Sequence, residues 1–405
     1  MEKQVRRALV VGRSYLFNLC LARSLGAAGY AVEVLRIFKT PPRRFNPMSS
    51  LKPDAYSKYV SAYHTCIIGE DENRVVEKLL ELARPEQKTL LVTGDDLFTS
   101  IVDENLEHLS RFYHISHAGH RPGGLNRLMD KQLQKSLARE AGLPVAACWE
   151  VTLEKGQFSL PEGISYPCFV KPKVSRHGQK RTMRRCDNVQ QLEACLRRIG
   201  SGTVLVEDFL DIKREYSVLG ISTREGVIGP GFFGAKQGCH EDRKGVALVG
   251  EVLDPGTYGT LVEKILAFVG SLGFEGLFDV DLIETMDGKW YFVELNLRFG
   301  GSGHAITVSG VNLPGMYADY VTQGKTIDLD CRVAPGRTFL NEKNLIEEYM
   351  KGYLTLQETR RLWKAADICF IRDEADPAPY RHFRKFWPVA FGLRFLYRLK
   401  KAMGK

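Results

Sequence analysis

Several common signatures are absent from this sequence. The 405 residues contain no apolar run near the roughly 20 residues that a membrane-spanning helix needs. The nine cysteines include no CxxC pair, which argues against a zinc site and a disulfide framework and fits a reducing cytoplasm. The apolar run at residues 8–12 is too short for a signal-peptide core, and no full GxGxxG follows it, so no dinucleotide site is predicted. With 44% hydrophobic and 26% charged residues, the chain is expected to fold into globular domains.

Acidic residues are missing from one segment, and this absence explains the net charge of +9. Residues 381–405 hold eight Lys and Arg and no Asp or Glu. Outside that tail, 49 basic residues face 48 acidic ones, so the rest of the chain is close to neutral. The basicity belongs to one short segment, and nucleic-acid binding is therefore not expected.

Residues 1–122 alternate predicted strands with predicted helices, which is typical of a doubly wound parallel sheet. Ligands of such sheets bind at the carboxyl ends of strands, here Gly12-Arg13-Ser14 and Gly94-Asp95-Asp96. An alternative role for Asp95 and Asp96 is that of helix N-caps. The predicted strands are 8–12, 31–37, 63–68 and 89–93, and the predicted helices are 16–28 and 75–83.

The second half has more strand pairing and fewer crossovers, which indicates an α+β architecture. A helix over 129–141 precedes it and stops at Gly142, with Pro144 beyond. From about residue 327 the pattern changes to helices rich in Arg and Lys. The predicted strands are 168–170, 204–206, 216–219, 277–283 and 290–295.

The strongest chemical signal is a predicted hairpin over residues 278–296. Asp281 precedes a turn at 287–289, and Glu294 and Asn296 share one face of the return strand. Two carboxylates and an amide oxygen on neighbouring strands suit Mg²⁺, and Arg298 would reach a developing phosphoryl or carboxyl charge. The glycines of 300–303 would let backbone approach a ligand. The alternative is a surface hairpin whose acids are simply solvated.

This hairpin resembles the metal-binding hairpin of the ATP-grasp superfamily. There an Asp, a Glu thirteen positions later and an Asn two beyond that hold two magnesium ions between nucleotide phosphates. Asp281, Glu294 and Asn296 match that spacing. The resemblance implies ATP and Mg²⁺ as cofactors, with Mn²⁺ able to substitute, and assigns Asp281, Glu294 and Asn296 to the metal.

Four further elements, all before the hairpin in the chain, occur in the order of that family. Lys131, opening a helix, and Lys171, on a strand before Pro172, resemble the two nucleotide-binding lysines. Glu215 matches the residue that bonds the ribose hydroxyls. The segment that resembles the adenine-reading hinge comprises Glu207, Asp208, Phe209 and Leu210.

The loop after Lys171 departs from the family, because residues 174–180 contain a single glycine. Arg176, His177 or Lys180 could cover the phosphates instead. Lys236, Arg243 and Lys244 are further candidates for triphosphate contact, or else solvated loop residues.

The resemblance implies three parts. Residues 1–122 would form a pre-ATP-grasp domain. Residues 123–326 would form a two-lobed ATP-grasp fold, with a small lobe over about 140–210 and a large lobe over about 211–326. Residues 327–405 would form a small helical appendage.

ATP-grasp enzymes phosphorylate a carboxylate with ATP, and an amine or another nucleophile attacks the acyl phosphate. Glu294, Asn296 and Arg298 are the expected catalytic residues, and a small carboxylate and an amine are the expected substrates. The N-terminal segments and residues 294–301 are similar to those of carboxylate–amine ligases of the D-aspartate ligase and carbamoyl-phosphate synthetase-like branch. That similarity suggests addition of an amino acid to an amine of a cell-wall or peptide precursor, with Arg13, Asp95, Asp96 and Arg298 as substrate contacts. A bicarbonate-activating enzyme, a non-catalytic ATP-binding scaffold and a homodimer all remain open.

The basic tail also allows two interpretations. After Pro388, Val389, Leu393, Leu396, Leu399 and Met403 recur at helical spacing, with Arg394, Arg398, Lys401 and Lys405 roughly opposite. Such a helix is typical of a peripheral anchor at the inner face of a membrane. The alternative is a helix packed on the enzyme itself with its cations in water.

Overall fold

The computed structural model describes residues 5–41, 51–173, 183–240 and 247–402, with side chains described as far as Phe395. The loop candidates Arg176, His177, Lys180, Arg243 and Lys244 lie outside the described residues. Within the described part of the chain, no helix is both long and apolar enough to cross a bilayer.

The N-terminal unit is a five-stranded parallel sheet with helices on both faces, as predicted. Its strand order is β3-β2-β1-β4-β5. Along β1, Ala8 and Val10 pack toward helix α1, whereas Leu9 and Val11 pack toward α2 and α3. Burial on both faces explains why this strand is a continuous apolar run. The elements are β1 Arg7–Gly12, α1 Tyr15–Ala27, β2 Ala31–Phe38, β3 Val60–Ile67, α2 Asn73–Leu82, β4 Thr89–Thr93, α3 Asp96–Glu104, α4 Leu106–Leu109 and β5 Tyr113–His114.

A connecting segment leads from this unit to the second half: β6 His117–Ala118, α5 Gly124–Leu128 and α6 Lys131–Glu140. Helix α6 begins two residues later than predicted, because the Asp130 carboxylate caps it by accepting the N–H groups of Gln132 and Leu133 at 2.8 and 3.1 Å. It ends before Gly142, which takes the left-handed conformation (φ +76°) that stops many helices.

The small lobe is a four-stranded sheet of order β7-β10-β8-β9, in which every neighbouring pair is antiparallel. Lys171 pairs with Leu205, so Lys171 and Glu207 occupy diagonal positions on one face. The elements are β7 Cys148–Leu153, β8 Cys168–Pro172, β9 Arg184–Cys186, α7 Val189–Ile199 and β10 Gly202–Asp208.

The large sheet has the order β15-β14-β11-β12-β13-β16-β17, and β6 also pairs with β14. Helix α8 covers one face of this sheet, and α9 and α10 cover the other. The elements are β11 Ile212–Ser222, β12 Val227–Gly238, β13 Ala247–Leu253, α8 Gly259–Ser271, β14 Phe274–Thr285, β15 Trp290–Asn296, α9 Gly303–Val308 and α10 Leu313–Gln323.

The C-terminal part adds two short strands to the predicted helices, and both strands extend the large sheet. Strand β16 pairs with β13, and β17 pairs with β16. A buried arginine of α1, Arg23, joins this part to the N-terminal unit: it donates to Asp376 (2.9 Å) and to the carbonyls of Phe370 and Ile371. The predicted domain boundaries at 122 and 326 stay predictions. The elements are β16 Thr338–Leu340, α11 Glu342–Lys351, α12 Leu356–Ala365, β17 Ile368–Cys369, α13 Ala378–Arg384 and α14 Trp387–Ala402.

Candidate active site

Acidic side chains gather on one face of the β14–β15 hairpin. Val280 and Leu282 are buried in the core beneath α8, so the alternate residues Asp279 and Asp281 project from the other face. Strand pairing sets Asp281 opposite Glu294 and Asp279 opposite Asn296. The predicted hairpin is therefore present, and it brings together the three predicted metal ligands and one carboxylate that the sequence analysis did not select, Asp279.

Hydrogen bonds fix these side chains in place. Ser217 on β11 donates its hydroxyl to Asp281 at 2.8 Å, and the Asn296 amide donates to the other oxygen of Asp281 at 3.2 Å. The amide oxygen of Asn296 accepts from Arg298 at 3.2 Å. One oxygen of Asp279 is buried and has no hydrogen-bond partner among the described residues. An orphaned carboxylate oxygen beside two other carboxylates and an amide is a donor set that fits a divalent cation.

The electrostatics of the hairpin point the same way. Burial, reinforced by the charge of Glu294, raises the pKa of Asp281 to about 6. Burial, reinforced by Asp281, also raises the pKa of Asp279 well above its usual range. Burial alone would raise the pKa of Glu294 as well, but the Lys131 ammonium brings it down to about 2. Two of the three carboxylates are thus costly to ionise, and a bound cation would remove that cost.

Helix α6 brings Lys131 to this hairpin. The side-chain amide of Gln134 donates to the carbonyl of Leu295 at 2.7 Å and accepts its N–H at 2.9 Å, so α6 is fastened to β15. One turn earlier, the Lys131 ammonium lies 2.6 Å from Glu294. Lys131 and Glu294 are each predicted from their own local sequence, and neither local sequence indicates that the two side chains form a pair.

A second buried ion cluster occupies the small-lobe side. The ammonium groups of Lys171 and Lys135 lie 2.8 and 3.1 Å from one oxygen of Glu207, and all three residues are buried. Burial lowers the pKa of Lys171. Burial alone would raise the pKa of Glu207, but the two ammonium groups bring it below its usual range. Glu207 therefore has a side-chain partner in Lys171, in addition to the backbone role predicted for its segment.

The rest of the predicted hinge is held by the small lobe. The N–H groups of Asp208 and Phe209 donate to the carbonyls of Ala147 and Pro167 at 3.0 and 3.1 Å. Asp208 also accepts from the Ser165 hydroxyl. Leu210 follows, half-buried, and the adenine contact predicted for this segment stays a prediction.

The two remaining predicted nucleotide contacts lie on the large sheet. Glu215 is half-buried on the same face of β11 as Ser217, two residues from it. Lys236 on β12 pairs with Glu251 of β13 at 3.1 Å. Glu251 also binds Arg214, so this region likewise holds cations against a carboxylate.

Arg298 connects the hairpin to the N-terminal sheet. Its guanidinium donates to Asp96 at 2.6 Å, and it lies 5.6 Å from the centre of the Phe17 ring. Burial opposes ionisation of Arg298, but the Asp96 and Asp279 carboxylates raise its pKa, so it stays charged. Asp95 caps α3, as the alternative interpretation predicted, and also forms a bidentate pair with Arg13 at 2.8 and 2.7 Å.

The glycine-rich turn after Arg298 is forced by close packing. A Cβ on Gly300 would lie 2.2 Å from an Asp279 oxygen, and one on Gly301 would lie 2.1 Å from the Phe17 ring. Glycine is therefore required at both positions for the turn to reach the acidic hairpin.

Two hollows flank helix α6. A small one of about 20 Å³ touches Lys131 and Glu294, with Asp96 and Asn296 in its wall. A cleft of about 370 Å³ opens beside Lys135 and Lys173. The described residues also include a group outside the hairpin, His117, His120 and Glu275, whose ligand atoms lie within 4.8 Å of one another. The Arg224 guanidinium binds Glu275 at 2.8 Å and also contacts His120, so this group is already neutralised, and we assign no metal to it.

Most of this site lies in a region of the chain that matches a known family. Residues 136–314 match the family model of the ATP-grasp domain. Residues 136–314 are thus similar to an ATP-grasp domain. The matched region includes the acidic hairpin, both small-lobe residues of the Lys171–Glu207 pair, and Arg298.

Individual relatives are distant. A formate-dependent phosphoribosylglycinamide formyltransferase of Bordetella pertussis is 25% identical over 264 residues, which cover 62% of this chain and 62% of the relative. A D-alanine–D-alanine ligase of Bacillus cytotoxicus is 27% identical over 188 residues, covering 42% of this chain and 51% of that protein. The chain thus spans less than two thirds of the curated relatives it matches.

Solved structures share the fold over most of this chain. N5-carboxyaminoimidazole ribonucleotide synthetase, in its ADP complex, aligns with a TM-score of 0.61 and 16% identity over 82% of this chain and 80% of that one. An L-amino acid ligase from Bacillus licheniformis aligns with a TM-score of 0.60 and 17% identity over 83% of this chain and 79% of that one. These alignments confirm the predicted fold class, a parallel-sheet domain followed by an ATP-grasp fold.

Proposed function

We propose that this protein is an ADP-forming ligase that activates a carboxylate with ATP and joins it to an amine. The main support for the proposal is one observation. Three carboxylates and an amide lie on one face of the hairpin, and Lys131 and Arg298 contact them. Such a site concentrates both the anions that hold a divalent cation and the cations that hold phosphate. The ATP-grasp domain supplies the nucleotide half of the proposal.

The ion pairs suggest how the site accepts its polyanionic ligand. Lys131, Lys171 and Arg298 are each paired with a carboxylate of the chain. When a nucleotide and its metal bind, these pairings would change. Glu294 would then bind the metal, and Lys131 would bind a phosphate. Because charges are exchanged inside the site, less charge has to be newly buried when the nucleotide binds.

Each residue then has a role. Asp281, Glu294 and Asn296, joined by Asp279, would hold Mg²⁺, two ions by the family resemblance, with Mn²⁺ as a substitute. The metal supplies charge neutralisation at the phosphates. Lys131 and Lys171 would bind the phosphates, and Glu215 would bind the ribose. Lys236 would be a further contact to the triphosphate. Arg298, held by Asp96 and Asn296, faces the carboxylate that is activated.

The chemistry balances without a nucleophilic side chain. A substrate carboxylate oxygen attacks the terminal phosphorus, the bond from that phosphorus to the bridging oxygen breaks, and ADP leaves. The amine then attacks the acyl carbon, phosphate departs with the bonding electrons, and the amine loses a proton. The relatives named D-alanine–D-alanine ligase and L-amino acid ligase favour an amino acid as the carboxylate, with Arg13 and Asp95 at its binding side.

A panel of amino acids and amines, read by ADP release, tests the proposal. ADP should appear only with a matching carboxylate, and hydroxylamine should trap the acyl phosphate as a hydroxamate. Asp287→Asn at the exposed hairpin turn serves as a matched control and should keep full turnover, whereas Glu294→Gln should not.

Other outcomes would each overturn the proposal in a recognisable way. AMP and pyrophosphate would mean adenylation. ADP release that needs bicarbonate and no amino acid would mean the bicarbonate-activating alternative. Tight ATP binding without ADP release under any pairing would mean a scaffold.

A further inference from the structure

The C-terminal helix presents an apolar face to solvent, and this surface is separate from the candidate active site. Helix α14 packs against α11, and its residues Ala390 and Arg394 are buried, as is Phe386 directly before it. Trp387 adds ring contacts to Tyr349 and Trp363. The helix is therefore docked on the protein, which was one of the two interpretations of the sequence.

The docking corrects one prediction. Arg394 was placed on an outward basic stripe, but its guanidinium donates to the carbonyls of Tyr349 and Leu354 and lies 4.3 Å from the centre of the Tyr349 ring. The Tyr349 carbonyl lies in the last turn of α11, and the Leu354 carbonyl lies just beyond it, where carbonyl oxygens lack N–H donors from within the helix. The Arg394 guanidinium donates to these carbonyl oxygens, and its positive charge is favourable at the C-terminal end of a helix. These interactions outweigh the loss of water around Arg394. The side chains of Leu396, Leu399, Arg398, Lys401, Met403 and Lys405 lie outside those described.

With Arg394 turned inward, the outward side chains of α14 that the structure describes, up to Phe395, include two exposed aromatic rings. Phe391 is 43% exposed, and Phe395, one turn later on the same side, is 64% exposed. Val389 is 37% exposed. Exposed Phe side chains in consecutive turns are costly in water, which indicates that another surface covers them.

The segment that carries this face contains charges of a single sign. Arg381, Arg384 and Lys385, all exposed, precede it, and residues 381–405 contain eight cations and no acidic residue. A second copy docking through the same face would bring two such segments together, and their like charges would repel. An anionic surface with an apolar interior meets both requirements at once.

We infer that the face formed by Phe391 and Phe395 docks on an anionic lipid bilayer. The two Phe rings would enter the boundary between headgroups and acyl chains, and the exposed cations Arg381, Arg384 and Lys385 would remain at the headgroups. The helix stays docked on α11, so the whole enzyme would lie against the bilayer. This inference does not depend on the ligase proposal.

Co-sedimentation of the full chain with vesicles tests the inference. The chain should bind mixed phosphatidylcholine–phosphatidylglycerol vesicles and be released by high salt, and it should bind pure phosphatidylcholine far less. Phe391→Ser/Phe395→Ser should weaken binding by roughly tenfold or more, because the apolar contribution is lost. Arg384→Glu/Lys385→Glu should weaken it as well.

The controls separate lipid binding from other causes. Met286→Ser removes an equally exposed side chain from the hairpin turn and should bind vesicles as the unchanged protein does. Phe395→Ser alone should unfold at the temperature of the unchanged protein and still lose vesicle binding, since Phe395 is 64% exposed, whereas Phe391 also touches the Tyr349 and Trp387 rings. Point variants are preferred to ending the chain at Ala378, because Phe383 and Phe386 are buried and their loss would open the core.

Three results would overturn the inference. The first is the absence of binding to anionic vesicles at low salt, and the second is equal binding by the double Phe variant. The third is a dimer in light scattering that Phe391→Ser/Phe395→Ser abolishes while vesicle binding is absent, which would mean that a second copy covers the face.

Discussion

Lys131 lies 2.6 Å from Glu294, so the predicted phosphate-binding lysine is bound to a predicted metal ligand. The two residues come from α6 and β15, which Gln134 fastens together. In this arrangement the lysine keeps the carboxylate ionised before any nucleotide arrives, since its charge is what brings the pKa of Glu294 down to about 2. Lys131 is thus predicted to bind phosphate and to keep Glu294 ionised, and substitution of Lys131 tests both roles.

Lys131→Met should weaken ATP binding about tenfold or more, because a phosphate contact is lost. It should also make Mg²⁺ binding more pH-dependent, because Glu294 loses its cation. Calorimetric titrations with ATP and with Mg²⁺ measure both effects. Lys213→Met, which removes an exposed lysine paired with Glu284, is the matched control and should leave both affinities unchanged. Unchanged ATP affinity in Lys131→Met would contradict our placement of the phosphates.

Asp281→Asn, Glu294→Gln and Asn296→Ala should each lower turnover about a hundredfold or more, since each removes charge stabilisation at the transferred phosphoryl group. Folding should persist in all three variants, as judged by circular dichroism. Wild-type turnover in Glu294→Gln would remove the hairpin from the mechanism.

Asp96→Ala should lower kcat about tenfold or more, with ATP affinity unchanged. The reason is that Asp96 holds Arg298, to which we assign the substrate carboxylate rather than the nucleotide in the proposed function. Asp96→Asn should recover part of the loss, because its amide oxygen still accepts from the guanidinium. A parallel loss of ATP binding in Asp96→Ala would show instead that the whole site has shifted.

Stability should depend on pH through buried His304. Burial, reinforced by Arg23, lowers the pKa of His304 to about 4. Because the unfolded chain takes up that proton near pH 6.5, the folded state should lose stability as the pH falls from about 6.5 toward 4, by up to about 3 kcal/mol. Above pH 6.5 this contribution is complete.

Urea unfolding at about pH 7.5 and about pH 5 measures this loss. His304→Gln, which keeps a neutral donor toward Asp373, should reduce the difference between the two conditions. His108→Gln, at an exposed position, should not. An identical pH dependence in His304→Gln and the unchanged protein would show that other groups cause it.

The sequence predicted those parts of the fold and site that local pattern determines. The strands of the N-terminal sheet follow from short apolar runs that alternate with helices. The hairpin and the common face of Glu294 and Asn296 follow from two-residue periodicity and turn chemistry. Asp279 could have been found in the same way, because it lies two residues before Asp281 and so shares its face. What the pattern cannot give is which distant elements meet.

The partners supplied by tertiary packing were accordingly missed. Nothing local to Arg298 indicates Asp96, which is about two hundred residues away along the chain. The inward turn of Arg394 depends on the end of α11, which no periodicity within the tail can reveal. The strands β16 and β17 were missed because each is only two or three residues long and is formed by pairing with β13 and with each other.

The buried contact of Arg23 with Asp376 has a consequence for synthesis of the chain. The two residues are 353 positions apart, and Arg23 sits in the first helix of the N-terminal sheet. Until residue 376 has been translated and has left the ribosome, the guanidinium of Arg23 stays in water, because the residues that bury and pair it lie at 370–376. The N-terminal unit is therefore expected to reach its final packing only after that segment has emerged, which makes this contact a late step of folding.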